Sequence, residues 1–293
     1  MNATEIQGHD GTHLFVEYQQ ADHPVTVVLC DGIGCDGFVW TYLVKELADI
    51  ANVIHPHMRG HGKSQRPTRL ENLSIYDFAK DIEMVTQALC APEQPLILLG
   101  HSMGVQVTLE FMHRNRTRVC GSVLICGSFE HPATTVHYED RLARALPLLK
   151  QLTNKVAKPL TAIWRTALNL PVAMTVARLT ETHPDHTDPS IFEPYLAHLA
   201  DMDLEVFFHT LDHANQHSAR PYLAGLDMPV LVIAGEDDRI TPPKLAGELA
   251  ALLPNARYFG MTDATHIAPV EFPTDINPKV IKFLSECIAK MAD

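Results

Sequence analysis

LILLGHSMG, at residues 96–104, holds a serine between two glycines, directly after an apolar run and directly before a helix-like run at 105–112. In this strand–turn–helix context the pattern G-x-S-x-G predicts a very tight turn, because small residues are needed two positions either side of the serine. Such a turn holds the Ser102 hydroxyl out at the carboxyl edge of a sheet, where the following helix points its first N–H groups toward developing negative charge. The alternative, a chance glycine–serine turn, is disfavoured by the flanking patterns. We therefore expect Ser102 to be a nucleophile.

Four further apolar runs, rich in β-branched residues, are each followed by a helical pattern. They lie at 25–29, 53–54, 123–125 and 230–233. Because these runs do not alternate polar with apolar residues, they predict strands buried on both faces, and hence a mostly parallel sheet. The fold class that follows is α/β, with a mostly parallel central sheet flanked by helices.

Two helix starts are marked by local signals. Ser74 and Asp77 have the spacing of a capping box, and apolar residues then recur at helical spacing as far as residue 89. Near the end of the chain, Asn277 and Pro278 have the pattern of an N-cap followed by proline at the first helical position. We expect a helix to begin at each of these places.

The alternation of strand and helix stops near residue 128 and resumes near residue 226. The segment between them has helical periodicity, for example in the leucine stripe at 142, 146, 149 and 152. Eight prolines predict that it is broken into short helices. They are Pro132, Pro147, Pro159, Pro171, Pro184, Pro189, Pro194 and Pro221.

This pattern predicts an α/β core at 1–128 and 226–293, interrupted by an all-helical cap at 129–225. The cap either adds only stability or forms a lid over a pocket. The insertion begins where a strand ends, and ligands of open parallel sheets bind at those ends, which favours the lid.

The composition narrows the classes of function. The chain has 293 residues, 46% hydrophobic and 20% charged, with a net charge of -12 when histidine is neutral. This balance disfavours nucleic-acid binding and docking on anionic lipid, both of which need a basic face. No apolar run reaches the roughly 18 residues that suggest a membrane span, and the amino terminus lacks the signal-peptide pattern. We expect a cytoplasmic protein, whose six scattered cysteines do not predict a disulfide framework.

A serine nucleophile needs a base, and that base needs an acid to orient it. After a nucleophile turn of this type, the order along the chain is serine, then acid, then histidine. The acid can come from GEDDRITP at 235–242, which holds Glu236, Asp237 and Asp238. The histidine can come from DATHIAPVEFP at 263–273, which holds His266.

Together these motifs resemble those of the α/β-hydrolase family, most weakly across the cap. GHSMG resembles the family's nucleophile turn, and MRGHGKS at 58–64 resembles its R-G-x-G-x-S turn. The spacing in GEDDRITP selects Asp238 by resemblance, although its two acidic neighbours remain alternatives. The resemblance implies that Ser102 attacks the substrate, that His266 carries the proton, and that Asp238 orients His266.

The resemblance also implies an oxyanion hole built from the backbone N–H groups of Ile33 and Met103. Ile33 lies in LCDGIGCDGF at 29–38, where Gly32 and Gly34 let the backbone approach a substrate oxygen closely. That loop matches neither nucleotide-binding glycine pattern. No cofactor is implied.

At two positions this chain departs from the family pattern, and the two departures exchange aspartate and histidine. This chain has Asp31 where the family commonly has histidine, and His57 where it commonly has aspartate. A buried, unpaired carboxylate beside an oxyanion hole is costly and opposes the charge that develops there. We therefore expect either a hydrogen-bonded pair of Asp31 with His57, or an Asp31 side chain that caps its own loop.

Two histidine-rich segments can imitate metal sites. The first is HPDHTD at 183–188, and the second is the set His209, His213 and His217, whose spacing places them on one helix face. No carboxylate or cysteine pattern completes the second set. A solvated loop and a partly exposed helix face explain the two segments better, so we expect no metal.

These observations favour an enzyme that cleaves carboxylic esters of mainly hydrophobic small molecules through an acyl-enzyme at Ser102. Lactonase, thioesterase, C–C bond hydrolase and perhydrolase activities would use the same three residues, and acyl transfer to an alcohol would differ only in excluding water. A different class also remains open, because some proteins of this fold are ligand receptors. The sequence does not indicate the substrate or the oligomeric state.

Overall fold

A computed structural model describes residues 1–170, Val172, Thr175, Val176 and 182–291, and within them eight strands form one sheet. The strands are β1 Asn2–Gln7, β2 His13–Gln19, β3 Thr26–Cys30, β4 Asn52–Pro56, β5 Leu96–His101, β6 Val119–Ile125, β7 Val230–Gly235 and β8 Ala256–Met261. Their order across the sheet is β1-β2-β4-β3-β5-β6-β7-β8. The pairs β1/β2 and β2/β4 are antiparallel, and all pairs from β4/β3 onward are parallel.

The prediction of a mostly parallel sheet, buried on both faces, is confirmed. Every residue of β3, β4, β5 and β7 is buried. One large apolar cluster covers each face of the sheet. Three strands were not predicted: β1, β2 and β8, each of which includes exposed residues. In β2 the signal was present, because Leu14 and Val16 are buried and alternate with less buried neighbours.

The described helices flank this sheet or lie in the segment between β6 and β7. They are α1 Leu43–Leu47, α2 Ile75–Leu89, α3 Met103–Arg114, α4 Arg141–Leu168, α5 Pro189–Asp201, α6 Leu204–Gln216, α7 Arg220–Leu223, α8 Pro243–Leu252, α9 Ala268–Glu271 and α10 Pro273–Ala289. The capping box of α2 is confirmed, since Ser74 and Asp77 each accept the other's backbone N–H through a side-chain oxygen. In the described part of the chain, no helix has both the length and the apolar character that crossing a bilayer requires.

The predicted start of the last helix is wrong. Helix α10 begins at Pro273, so Asn277 and Pro278 lie inside it. Asn277 does not cap the helix; it is buried and donates a side-chain hydrogen bond to Glu46 at 2.7 Å. Pro273 lies in the first turn, where the missing N–H has no intrahelical acceptor, whereas Pro278 lies in the second turn and removes one intrahelical hydrogen bond, so packing outweighs the local preference here.

Between β6 and β7 the described residues are mainly helical, and the prediction that proline divides this segment into short helices holds in part for α4. The range of α4 joins two helical stretches at Val156, whose φ of -139° and ψ of 40° are not helical. This break comes three residues before Pro159, whose ring would clash with the carbonyl four residues earlier, whereas Pro147 lies inside the first stretch without ending it. Pro189 instead begins α5, and Pro171 lies outside the described residues.

Candidate active site

Ser102 occupies the turn between β5 and α3 with φ 56° and ψ -122°, a conformation that residues other than glycine rarely adopt. The two glycines of the motif are needed for close packing. A Cβ atom on Gly104 would lie 2.0 Å from the carbonyl oxygen of Cys30, and one on Gly100 would lie 2.5 Å from the carbonyl oxygen of Gly104. The turn therefore presses the start of α3 against the end of β3, and it presents the serine at the carboxyl edge of the sheet.

A continuous line of hydrogen bonds joins the serine to a histidine and an aspartate. His266 Nε2 lies 3.0 Å from Ser102 Oγ, and His266 Nδ1 lies 2.9 Å from Asp238 Oδ2. Asp238 is fully buried and His266 is 8% exposed. Three residues that are far apart in the sequence thus meet in the arrangement of nucleophile, base and orienting acid.

The loop around Asp238 explains which of the three acids reaches the histidine. Asp238 accepts hydrogen bonds from the backbone N–H groups of Ile240 and Thr241, each at 2.8 Å, and from the Thr241 hydroxyl at 2.8 Å. Glu236 and Asp237 are exposed, and Glu236 accepts a hydrogen bond from the Thr262 hydroxyl at 3.3 Å. The two backbone bonds to Asp238 go to Oδ1, which leaves Oδ2 to face both the Thr241 hydroxyl and His266.

His101 and Glu271 support the histidine loop, and the sequence reasoning missed both. His101 Nε2 donates to the carbonyl oxygen of His266 at 2.9 Å, and burial lowers the pKa of His101 to about 4, so the ring is neutral. Glu271 accepts from the backbone N–H of Thr265 at 2.8 Å and from that of His183 at 2.7 Å. It therefore ties the loop before His266 to the segment between β6 and β7. The sequence could have indicated the role of His101, because this residue directly precedes the serine at the end of a buried strand.

The loop after β3 packs directly against Ser102. A Cβ atom on Gly32 would lie 2.8 Å from Ser102 Cβ and 3.2 Å from Ser102 Oγ. Ile33 and Met103 both line a pocket that also includes Ser102. Met103 is the first residue of α3, and the first N–H groups of a helix have no acceptor within it. The geometry thus brings the two residues expected to form an oxyanion hole to the serine.

Two chambers open at Ser102. The main chamber has a volume of about 480 Å³ and is lined by His266 as well as Ser102. The segment between β6 and β7 supplies most of its apolar wall, through Val136, Leu142, Trp164, Leu199, Phe207 and Leu211. The side chamber has a volume of about 60 Å³ and is lined by Met103 and Gln106 on α3. A main chamber of this size and character suits a small apolar molecule.

The expected pair of Asp31 with His57 is wrong, and so is the alternative of a carboxylate that caps only its own loop. Asp31 is fully buried and accepts a hydrogen bond from His55 Nε2 at 2.8 Å and another from Trp40 Nε1 at 2.7 Å. His57 turns away, because its Nδ1 accepts the backbone N–H of Lys63 at 3.1 Å. The buried Asp31 carboxylate does have a histidine partner, as expected, but that partner is His55.

His55 is held between two carboxylates, which sets its charge. Burial alone lowers its pKa, but the negative charges and hydrogen bonds of Asp31 and Glu17 outweigh burial and raise the pKa to about 10. Burial raises the pKa of Asp31, but the positive charge of His55 outweighs it and leaves that pKa below its usual value. The hydrogen bond from His55 lowers the pKa of Glu17 to about 2. At neutral pH the cluster therefore holds one imidazolium between two carboxylates.

Glu17, His55 and His57 form the one group of three metal-ligand side chains close enough to share an ion among the residues that the structure describes. The hydrogen bonds of these residues favour protons, not a metal ion, on the ring nitrogens of the two histidines. His55 donates both ring N–H groups, and His57 accepts at Nδ1, so a neutral His57 ring carries its proton on Nε2. A metal ion would need that Nε2 lone pair.

Neither histidine segment singled out by sequence supplies three side chains close enough to share a metal ion among the residues that the structure describes. His209 bonds to Asn154 at 2.9 Å, whereas His217 bonds to Gln106 at 3.1 Å and to Tyr222 at 3.1 Å. His183 Nδ1 accepts the backbone N–H of Asp185 at 3.2 Å, which is an ordinary loop contact.

A family model described as "Serine aminopeptidase, S33" matches residues 21–261. A putative non-heme bromoperoxidase, BpoC, of Mycobacterium tuberculosis (strain ATCC 25618 / H37Rv) is 41% identical over 75 residues, which are 26% of this chain and 29% of that protein. The uncharacterized hydrolase YugF of Bacillus subtilis (strain 168) is 22% identical over 280 residues, or 94% of this chain and 95% of that protein.

Among solved structures, a thermophilic esterase from Thermogutta terrifontis superposes with a TM-score of 0.76 at 19% identity, over 98% of this chain and 99% of that one. A likeness at this level of identity concerns the fold. The family match spans residues 21–261 of a 293-residue chain, and it shows that the protein belongs to the serine aminopeptidase S33 family of α/β-hydrolases.

Proposed function

We propose that this α/β-hydrolase cleaves carboxylic esters of small, mainly apolar molecules through an acyl-enzyme on Ser102. The observation that carries the proposal is the unbroken line from Ser102 through His266 to buried Asp238, with links of 3.0 Å and 2.9 Å, at the floor of an apolar chamber of about 480 Å³. In the proposed site Ser102 is the nucleophile, His266 the base and Asp238 the orienting acid. No cofactor is part of the proposal.

The proposed reaction has two halves. His266 Nε2 takes the Ser102 proton while Oγ attacks the carbonyl carbon, and Asp238 stabilises the imidazolium that forms. The carbonyl oxygen gains negative charge, which the N–H groups of Ile33 and Met103 stabilise; one such donor is typically worth about 10²–10³-fold in rate. The C–O bond to the leaving group then breaks, and that oxygen receives the proton from His266. Water repeats these steps on the acyl-enzyme and restores the serine.

We further propose that residues 129–225 act as a cap that shapes the substrate site. The apolar wall of the main chamber comes largely from this segment, including Trp164 and Phe207. Glu271 joins it to the histidine loop through the backbone N–H of His183. The cap thus both selects apolar substrates and helps to hold His266 in place.

Labelling and turnover test the proposal together. A fluorophosphonate should label Ser102 in the wild type, and p-nitrophenyl esters of graded acyl length should be hydrolysed with burst kinetics that reveal the acyl-enzyme. Ser102→Ala should lose both labelling and turnover. Ser285→Ala, at an exposed serine of α10, is the matched control and should retain both.

The alternatives give different results in the same assays. Labelling without turnover of any ester, lactone or thioester would favour a ligand receptor on this fold. Faster turnover of lactones or thioesters than of matched esters would identify a different substrate class with the same mechanism. Full activity in Ser102→Ala would overturn the proposed nucleophile.

A further inference from the structure

Helix α4 carries a row of large apolar side chains on its outer surface. Leu148, Leu152, Val156 and Ile163, which we call the α4 stripe, are 61%, 42%, 43% and 65% exposed. The first three follow one another at intervals of four residues, so they lie along one side of the helix. Eight of the twelve large apolar side chains that are exposed in the described part of the chain lie at 138–176. A contiguous exposed row of this kind marks an interaction site, whereas single exposed apolar residues do not.

The segment that carries the stripe has no acidic residue. Residues 141–170 contain six Lys or Arg and no Asp or Glu, although the whole chain has 35 acidic residues and a net charge of -12. That net charge disfavours docking on anionic lipid, but it is an average that conceals this segment. Arg144 lies four residues before Leu148, and Lys155 lies three residues after Leu152, so cations flank the stripe.

Two lysines beside the stripe have their charge available to a partner. Lys155 and Lys158 are exposed and form no ion pair with the described residues. Asp203 and Glu205 line the same surface crevice as Lys158, but both already pair with Arg66. The two lysines can therefore bind an external anion without first losing an internal one.

The other cations of the segment have acidic neighbours. Lys150 pairs with Asp212 in a contact that is mostly buried, so it is not available. Three arginines pair with exposed carboxylates: Arg141 with Glu139, Arg144 with Asp140, and Arg165 with Asp201. Exposed ion pairs contribute little to stability, so phosphate groups can replace these carboxylates at small cost.

The same helix also forms part of the wall of the main chamber. Leu142 and Trp164 line that chamber, whereas the stripe lies on the exposed side of α4. A surface that binds the stripe is therefore separated from the chamber by the thickness of one helix. This position suits apolar substrates that are dissolved in that surface.

We propose that the α4 stripe docks this protein on an anionic lipid surface, with the apolar side chains among the acyl chains and the flanking cations at the lipid phosphates. A helix with exposed apolar residues and Lys or Arg beside them binds membrane interfaces in this manner, without spanning the bilayer. A second copy of the chain fits the stripe less well, because both copies would bring positive charge to the contact. The docking does not require the proposed ester hydrolysis.

Vesicle binding by the whole protein tests the docking. Wild-type protein should sediment with vesicles made of equal parts of phosphatidylserine and phosphatidylcholine, and much less with vesicles of phosphatidylcholine alone. Raising the salt to about 1 M, where the Debye length is about 3 Å, should weaken the binding. Absence of binding to the anionic vesicles overturns the inference, and so does equal binding to both kinds of vesicle.

The two lysines can be tested against a matched pair. The double variant Lys155→Gln, Lys158→Gln should weaken vesicle binding about 20-fold, because one cation near an anionic surface contributes about fivefold. The double variant Lys282→Gln, Lys290→Gln replaces exposed lysines on and just after α10, and it should bind as the wild type does. Equal losses in the two double variants would show that only total charge matters, which overturns the role of α4.

The stripe itself has a separate test. Leu148→Ser and Ile163→Ser should each weaken vesicle binding about tenfold, because each removes an apolar side chain that lipid would bury. Met84→Ser, at an exposed methionine of α2, is the control and should leave binding unchanged. Unchanged binding in both stripe variants overturns the inference. A dimer in sedimentation equilibrium that Leu148→Ser converts to monomer, without vesicle binding, would assign the stripe to a second copy and also overturn it.

Docking and catalysis fail in distinguishable ways. Ser102→Ala should lose ester turnover and still bind the anionic vesicles. Ester turnover by a wild-type protein that binds no vesicles overturns the docking and leaves the proposed function in place. Vesicle binding without labelling or turnover overturns the proposed function and leaves the docking in place.

Discussion

His55 donates a hydrogen bond from Nε2 to Asp31 Oδ2 at 2.8 Å, and Asp31 directly precedes Gly32, which packs against Ser102. Asp31 is fully buried, and this imidazolium is the main positive charge that lowers its pKa. The pair keeps a carboxylate close to the proposed oxyanion hole without leaving its charge uncompensated. That compensation has consequences for stability, for pH dependence and for catalysis.

Replacing His55 should destabilise the protein strongly. His55→Gln leaves Asp31 as a buried charge without its partner, and the loss should be about 3–5 kcal/mol in the free energy of unfolding, measured in urea at pH 7. The double variant Asp31→Asn, His55→Gln should be more stable than His55→Gln alone, because no buried charge remains. His13→Gln, at a half-exposed histidine on β2, is the control and should change stability little. Additive losses in the double variant would contradict the pairing.

The same pair should make stability fall as the solution becomes alkaline. The folded-state pKa of His55 is raised from 6.5 to about 10, so its contribution is complete below pH 6.5 and is lost as pH rises toward 10. Between these limits, the stability advantage of wild type over the double variant should shrink by about 1.4 kcal/mol per pH unit. The double variant is the reference because neither of its two replacements titrates. A difference that stays constant from pH 7 to pH 9.5 would show that His55 is not charged in the folded state.

The orienting acid can be identified by comparing neighbours. Asp238→Asn should lower kcat by about 10³–10⁴-fold with little change in KM, because His266 loses the carboxylate that holds its tautomer and stabilises its charge. Asp237→Asn changes the adjacent, exposed carboxylate and should leave kcat near the wild-type value. Esterase assays, with circular dichroism to establish folding, provide the measurement. Equal losses in the two variants would show that the acid has been wrongly assigned.

Replacing glycine by alanine should have opposite effects on stability in the tight turn at Ser102 and in an ordinary helix. In Gly104→Ala the new Cβ would meet the backbone of Cys30 at 2.0 Å, so the nucleophile turn must distort and the variant should lose about 1–3 kcal/mol of stability together with activity. Gly247→Ala, inside α8 with no atom within 4 Å of the new Cβ, should instead gain about 0.5–1 kcal/mol. Thermal unfolding and ester turnover of both variants provide the check. Tolerance of alanine at 104 would mean that the turn is less tight than described.

The fold class and the serine turn could be predicted from the sequence because both depend on local constraints. Apolar runs such as 96–99 and 230–233 are recognisable as buried strands without knowledge of their neighbours. The need for glycine at position 100 is local, since a Cβ there would meet the carbonyl oxygen of Gly104; at position 104 the obstacle is the backbone of Cys30 on β3, and only the motif in the sequence indicates it. The spacing around Asp238 likewise reflects a short loop whose own N–H groups hold the carboxylate.

The predictions that the structure contradicts share a different cause. Neither the start of α10 at Pro273 nor the continuation of helix through Pro147 is decided by local preference, because tertiary packing can outweigh the cost of a proline inside a helix. The choice of His55 over His57 is of the same type. The two rings are 5.0 Å apart, and their positions in the sequence do not distinguish them.

By itself, then, the sequence determined the layered α/β architecture, and it predicted the turn at Ser102 and the order of serine, acid and histidine, because period and spacing are properties of neighbouring residues. Only the tertiary structure decided that Asp31 pairs with His55 and that His101 and Glu271 support the histidine loop. Those outcomes depend on the direction in which each side chain points and on the space left between segments distant in the chain. Both are set by long-range packing, which no local pattern records.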